Sequence, residues 1–288
     1  MLRVYSNLHE LAAVFDYFVL DVWGVLHDGE APYPEAIAGL AALKRCGKRV
    51  LLLSNTPSTA LVLREELSAL GFPPDTYEEI LTSGQVTREM IGKQENQGQS
   101  YYYIGPPEQS CLLAGLGYRS KTRLEEVGFL LVTGLNDEHP DVADYQELLH
   151  RAWQQRLPMY CANPDLAISR QDGSIIPCAG RLARDYEDLG GTVHYYGKPL
   201  PMMYREALAK LACSTHGQAA AVGDSLATDV KGAKAAGLYT VLLAGGLVAE
   251  QVGSTNPQAI ADFGSKYGLY PDAILQNFAW PSNKAAPK

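Results

Sequence analysis

Three apolar runs in this chain each lead into one polar residue, and that pattern constrains the fold more than any other feature. Phe18-Val19-Leu20 precedes Asp21, Leu51-Leu52-Leu53 precedes Ser54, and Ala219 to Val222 leads into Gly223-Asp224. Short continuous apolar runs of this kind suit strands buried on both faces of a parallel sheet. Helical spacing follows or precedes them. Glu35 to Arg45 stops near Gly47, Thr59 to Leu70 is closed by Gly71, Pro201 to Leu211 precedes the third run, and Thr228 to Ala236 ends at Gly237. Val50 to Leu53 and Thr240 to Leu243 read as strands. This β-α-β-α rhythm predicts an α/β fold, a parallel sheet covered by helices on both faces.

Between the two halves lies a segment with elements of its own. Tyr101 to Ile104, Phe129 to Thr133 and Pro158 to Cys161 read as strands, and Asp141 to Gln155 and Gly180 to Leu189 as helices. The reading is a core formed by 1–82 and 190–288 with a domain inserted at 83–189. Tyr101, Tyr102 and Tyr103 alternate across a strand, which assigns at least one face to the insert's own core. Met1 to Asp16 lacks the basic-then-apolar pattern of a signal peptide and reads as part of the fold. Ser282 to Lys288, small, polar and proline-containing, reads as a frayed tail.

At 288 residues, with 47% hydrophobic and 19% charged, the chain can bury a substantial core. Its formal net charge of −8 argues against binding a nucleic-acid polymer by neutralising phosphates, and against an acidic membrane surface. No apolar run is long enough to span a bilayer. Five scattered cysteines without a C-x-x-C suggest reduced thiols, mostly in the core, and a cytoplasmic location. Cys178 has no basic neighbour to activate it as a nucleophile. The histidines lack metal-ligand spacing, which excludes an obvious zinc site.

Ligands of an open parallel sheet sit beyond the carboxyl ends of its strands, so the fold would bring Asp21, Ser54 and Asp224 to one edge. Tyr196-Gly197-Lys198-Pro199 adds an ammonium, and Asp229 a further carboxylate. Asp21 and Asp224 are hard oxygen donors of the kind Mg²⁺ takes, and the backbone carbonyl of Trp23 could join them. Two facing carboxylates without a cation would be costly, so the pair itself predicts the metal. Asp21 is then placed to attack phosphorus, with Ser54 and the Asn55 N–H on phosphate oxygens and Lys198 neutralising charge. Asp229 would cap the following helix or orient the loop around the metal. Each assignment has an ordinary alternative. Asp21 could form a strand-end turn, Asp224 could be an N-cap, and Lys198 could be solvated.

The four segments resemble, in order, motifs one to four of the haloacid-dehalogenase-like (HAD) superfamily. The chain is most similar to the class IIA, NagD-like branch. The resemblance takes in Asp21-Val-Trp-Gly-Val-Leu-His-Asp28-Gly29, Thr82-Ser83, Ala162-Asn163-Pro164-Asp165 and Pro177-Cys178-Ala179-Gly180. It implies a Rossmann-like core, a mobile inserted α/β cap of the C2 type, and Mg²⁺ held by Asp21, Trp23, Asp224 and Asp229. The implied reaction is hydrolysis of a small phosphorylated metabolite, a sugar phosphate or a nucleotide, through an aspartyl-phosphate on Asp21. The cap would choose the substrate. Asn163 and Asp165 would contact a sugar or base hydroxyl, or else form only an Asn-Pro-Asp turn. Arg170, Arg181 and Arg184 would reach a second anion or stay solvated. A homodimer is allowed.

Trp23 departs from that pattern. Hydrolytic members of the superfamily usually carry a second aspartate there, as general acid and base. An indole N–H cannot serve, and losing a general acid costs about 10²–10⁴-fold. Three readings follow: a leaving group that needs little protonation, a substitute acid among His27, Asp28 or a cap residue, or a phosphorylated-ligand-binding or regulatory protein with weak catalysis. His27 and Asp28 also read as simple loop residues. The dehalogenase branch has an aromatic residue at this position too, but Gly223-Asp224 with Asp229 is the metal-phosphatase form.

Overall fold

The computed structural model describes residues 2–93, 99–136, 138–169 and 174–281. The expected tail at 282–288 and Arg170 lie outside the described residues. In chain order the first half supplies β1 (Arg3–Tyr5), α1 (Leu8–Ala12), β2 (Tyr17–Leu20), α2 (Ala36–Arg45), β3 (Arg49–Ser54), α3 (Ala60–Ala69), β4 (Glu79–Thr82) and α4 (Ser83–Gly92). The middle adds β5 (Ser100–Ile104), β6 (Arg119–Lys121), β7 (Phe129–Val132), α5 (Gln146–Gln154), β8 (Met159–Cys161), β9 (Ala167–Ser169), β10 (Ile175–Pro177), α6 (Ala179–Asp188) and β11 (Val193–Tyr195). The last part holds α7 (Pro201–Lys210), β12 (Ala219–Gly223), α8 (Lys231–Ala235), β13 (Tyr239–Leu243), α9 (Gly246–Val252), α10 (Pro257–Lys266) and β14 (Ala273–Leu275).

Two parallel sheets result. The larger runs β1-β14-β13-β12-β2-β3-β4, and the smaller β11-β8-β7-β5-β6. A short antiparallel hairpin, β9-β10, stands apart from both. Period two sorts the larger sheet's side chains. Phe18, Leu20, Val50 and Leu52 pack with Leu40, Leu43, Leu63 and Leu67 of α2 and α3 on one face. Val19, Leu51 and Leu53 pack with Met203, Tyr204 and Leu208 of α7 on the other. Full burial of each such aliphatic side chain contributes about 1.5–3 kcal/mol. The helices begin and end where local chemistry requires. Thr59 Oγ1 accepts the Val62 N–H at the start of α3, and Gly71 takes φ +90° after its end.

The smaller sheet has cores on both faces, Tyr101, Phe129 and Leu131 on one and Leu130, Val132, Leu149 and Tyr186 on the other. The strand β11 pairs with β8, Val193 opposite Met159, so this sheet extends past the expected border at 189. We propose that the chain returns to the core after Tyr195, because β11 is hydrogen-bonded into the smaller sheet. A second difference concerns Asp229. The expected helix from Thr228 starts only at Lys231, and Leu226–Val230 forms a π-helical turn, with the Asp229 and Val230 N–H groups both donating to Ser225 O at 3.1 Å. Wider turns of this kind often occur at functional sites.

Candidate active site

The site forms at the carboxyl ends of three adjacent strands, β12, β2 and β3. Leu20 pairs in register with Val222 on one side and Leu52 on the other. Asp21 therefore emerges between Asp224, just past β12, and Ser54, the last residue of β3, and its N–H donates to Val222 O at 2.9 Å. The segment between β11 and α7 brings in Lys198. Its Nζ lies 2.5 Å from Asp21 Oδ1 and 2.8 Å from Asp229 Oδ1. Lys198 is 2% exposed, so its charge lies in a desolvated site. Burial alone would pull its pKa down, but Asp21 and then Asp229 outweigh it and hold the ammonium well above its ordinary range.

Asp21, Asp224 and Asp229 each offer an oxygen within 4.8 Å of the others. Burial, then the charge of Asp229, pushes the Asp224 carboxyl up to about 7, and the same causes raise Asp21 well above the carboxylate range. Three buried acids beside one ammonium leave an excess of negative charge that hard oxygen donors would share with a divalent cation. The donor set therefore fits Mg²⁺. Asp229 is the member most tied down, for its Oδ1 faces Lys198 and its Oδ2 accepts the Ser225 N–H at 3.2 Å. Asp224 is no N-cap of the following turn: its Oδ2 accepts the Leu247 N–H at 2.6 Å, and Ser225 Oγ caps Thr228 instead.

Two glycines that sequence reasoning passed over shape this pocket. Gly24 and Gly246 have φ of +82° and +57°, and a Cβ on either would sit 2.0 or 2.2 Å from Asp224 Oδ2. Positive φ and missing Cβ are both needed there. The Gly245-Gly246 pair was the available signal in the sequence.

The insert contributes directly. Asn55 Nδ2 donates to Asp165 Oδ1 at 2.8 Å and to Lys198 O at 3.1 Å, and Asn55 Oδ1 accepts the Lys198 N–H at 2.7 Å. Asn163 Oδ1 accepts the Asp165 N–H at 3.1 Å, so the Asn-Pro-Asp turn exists while both residues also line the cleft. The cleft, about 180 Å³, is walled by Asp21, Trp23, Ser54 and Lys198 from the core side and by Gln109, Asn163 and Asp165 from the insert. Gln109 and Thr56 are cleft residues that no pattern in the sequence marked.

Trp23 packs the six-membered ring of its indole against Gly29, where a Cβ would meet it at 2.2 Å, and makes a T-shaped contact with His27 at 5.7 Å between ring centroids. Asp28 Oδ1 accepts the Glu30 and Ala31 N–H groups, which gives it a turn-forming role. His27 Nδ1 accepts the Gly29 N–H at 2.8 Å. Arg181 and Arg184 pair with Asp185 and Asp188 one helical turn on, as solvated cap arginines do. Cys161 and Cys178 are buried, Cys46 and Cys213 half-buried and Cys111 exposed, so the expectation of mostly core thiols holds only in part. Burial pushes the Cys178 thiol far up, away from the thiolate.

A family profile described as haloacid dehalogenase-like hydrolase matches residues 18–119, and a second, HAD-hydrolase-like, matches 195–265. A crystal structure of a haloacid dehalogenase-like hydrolase from Brucella suis 1330 superimposes with a TM-score of 0.83 at 31% identity, covering 96% of this chain and 100% of that one. The chain belongs to the haloacid dehalogenase-like hydrolase family. Within it, the chain is 27% identical to the ribonucleotide monophosphatase NagD of Escherichia coli K12, covering 80% of this chain and 87% of NagD. It is 25% identical to a D-glycerol 3-phosphate phosphatase of Mycobacterium tuberculosis over 83% of this chain, and spans 66% of that relative's length. Among the described residues, no helix of this HAD-like chain is long and apolar enough to cross a membrane.

Proposed function

We propose that the protein is a Mg²⁺-dependent phosphatase of a small phosphorylated metabolite, a sugar phosphate or a nucleotide, working through an aspartyl-phosphate on Asp21. The observation that carries this reading is Lys198 between Asp21 and Asp229 at a cleft edge where a third carboxylate, Asp224, converges. Relatives named for phosphate esters of glycerol and of ribonucleotides support the substrate class.

The hydrogen bonds of Asp21, from Lys198 Nζ and from the Val22 N–H at 2.7 Å, both fall on Oδ1. That leaves Oδ2 to attack phosphorus in line, forming the Oδ2–P bond as the ester P–O bond breaks and the leaving oxygen takes a proton. Water then attacks phosphorus and releases Asp21 and inorganic phosphate. Ser54 and the Asn55 N–H would hold the equatorial oxygens, and Lys198 would neutralise charge that builds on them. Asp21, Asp224, Asp229 and the Trp23 carbonyl would hold Mg²⁺, which would screen nucleophile and phosphate from one another. Asp229 fixes the Lys198 ammonium. Asp165, held by Asn55, closes the cap end of the cleft and, with Asn163, faces the leaving group.

A second reading follows from Trp23 in the cleft wall: the same scaffold would bind a phosphorylated ligand and turn it over slowly or not at all. Mg²⁺-dependent phosphate release from nucleotides, sugar phosphates and an aryl phosphate, with Asp21→Asn as the blank, separates them. Turnover lost in the blank supports the phosphatase. Metal binding with no turnover across the panel moves the assignment to a binding protein.

A further inference from the structure

Thr82, Ser83 and Gly84 stand at the end of β4 and the start of α4, where the chain leaves the larger sheet for the insert. Thr82 and Ser83 have no exposed surface. Thr82 pairs in register with Ser54, so the start of α4 lies beside the loop that follows Ser54. Thr82 Oγ1 donates to Ser58 O at 2.7 Å, and the Gly84 N–H donates to Thr56 O at 3.0 Å. A Cβ on Gly84 would fall 1.9 Å from Pro57 O, so the helix meets the loop with no room for a side chain. Thr82 and Gly84 together grip 56–58, of which Thr56 and Pro57 wall the cleft.

That loop in turn sets the Ser54 hydroxyl. The Thr56 N–H donates to Ser54 Oγ at 3.2 Å, which fixes the oxygen and leaves its own O–H to donate. On the other side, Ser83 Oγ donates to Tyr196 O, 113 residues away in sequence and two before Lys198. Two neighbouring hydroxyls therefore hold the segments that carry Ser54 and Lys198. The helix behind them is anchored on both bodies. Val86 packs in one cluster with Leu81 and Met203 of the core, and Ile91 in another with Tyr101 and Leu131 of the insert. Groups held by a packed helix are placed more precisely than groups on a free loop.

We infer that Thr82 and Ser83 are positioning residues for the phosphate, Thr82 through Ser54 and Ser83 through Lys198, although neither lines the cleft. The inference rests on the reading above that Ser54 and Lys198 hold the phosphate.

The test is the affinity of the full chain for inorganic phosphate in Mg²⁺, read by titration calorimetry. Thr82→Val keeps the shape and removes the donor to Ser58 O. It should weaken binding by about fivefold, the effect of losing one ordinary hydrogen bond, while Thr82→Ser, which keeps the hydroxyl, should bind as the wild type does. Ser83→Ala should weaken binding by a similar factor, and it carries the test if Thr82→Val does not fold. Thr82 Oγ1 also caps α4 by accepting the Gln85 N–H at 3.0 Å, so the control is Asn256→Ala, which removes the cap of α10 instead and should lower stability with phosphate affinity unchanged. Unchanged affinity in Thr82→Val or Ser83→Ala, a Thr82→Ser variant as weak as Thr82→Val, an equal loss in Asn256→Ala, or a wild type that binds no phosphate overturns the assignment. Turnover by the wild type is scored separately. Affinity lost in Thr82→Val without wild-type turnover keeps the positioning role and removes the phosphatase reading, whereas turnover with affinity unaffected does the reverse.

Discussion

Asn55 of the core holds Asp165 of the cap, Nδ2 to Oδ1 at 2.8 Å, with the same amide that grips the backbone of Lys198 on both sides. One side chain therefore sets the cap's position and that of the cation in the site. Gly197 makes the approach possible, because a Cβ there would meet Asn55 Oδ1 at 2.6 Å and Pro164 at 2.7 Å. Asp165 is itself half-buried, and desolvation raises its carboxyl against the pull of Lys198 and Asn55.

Replacing Asn55 with alanine removes three hydrogen bonds, two of them to backbone atoms of Lys198. Each contributes about 1 kcal/mol, and the one to the carboxylate more. The expected outcome is kcat/KM lower by about 10²-fold, with faster amide exchange at both 163–166 and 197–199. Exchange that rises in only one of the two segments would show that Asn55 does not couple them.

Lys198→Met keeps the stem and removes the charge. Asp21 and Asp229 would then face each other buried, with no ammonium between them. Breaking a buried ion pair from one side costs about 3–5 kcal/mol. Urea unfolding without added metal should show a loss of that order, and activity should fall by more than about 10²-fold, as for other groups that stabilise the transition state. A variant as stable as wild type would mean that the acids are already neutral in the folded protein.

The core half of this site was legible in the sequence because each chemical group sits at the end of a strand whose apolar run is unmistakable. Asp21, Ser54 and Asp224 needed only the rule that parallel strands deliver ligands to one edge. Lys198 was legible through its Gly-Lys-Pro setting. What stayed hidden depends on contacts distant in sequence. Leu247 holds Asp224 with a backbone N–H, Gln109 enters from a short helical turn in the cap, and β1 and β14, the last two strands at one end of the larger sheet, have three residues each. None of these has a pattern of its own. The π-helical turn at Leu226–Val230 was missed because its residues have ordinary helical spacing.

The acid cluster predicts a pH dependence with a definite sign. In the folded chain without metal, burial and then Asp229 raise Asp224 from 3.8 to about 7. The folded state therefore binds this proton more tightly than the unfolded state. The stability it contributes is full below about pH 4 and is lost as pH rises through about 7. Mg²⁺ competes with that proton, so it should stabilise little at pH 5 and most above pH 7. Thermal melts in EDTA and in MgCl₂ across this range check both trends. A Mg²⁺ effect of equal size at pH 5 and pH 8 would remove Asp224 from the metal site.

Gly24→Ala tests the same carboxylate by a steric route. The new Cβ would fall 2.0 Å from Asp224 Oδ2 on a backbone at φ +82°, so either the loop or the carboxylate must move. Positive φ alone costs a non-glycine residue about 1–2 kcal/mol. The folded chain should survive with Mg²⁺ affinity lower by at least about tenfold, read by calorimetry. Unchanged affinity would place the ion away from Asp224.

Trp23→Asp addresses the missing acid. The indole fills the space over Gly29 and beside His27, and both ring contacts go with it, so some stability is lost through exposed apolar surface. In exchange a carboxyl stands two residues from Asp21, on the loop where a proton could be given to the leaving oxygen. The benefit depends on that oxygen. An alkyl alkoxide needs protonation, and a supplied acid is worth about 10²–10⁴-fold. A nitrophenolate leaves without it, so its rate should hardly respond to the substitution. The expected outcome is a large gain on alkyl phosphates with little change on p-nitrophenyl phosphate, measured as kcat/KM for each. Equal gains on both would show that Trp23 obstructs binding rather than replacing an acid. No gain on either would mean that a different group already serves as acid, or that the cleft is built to hold its ligand.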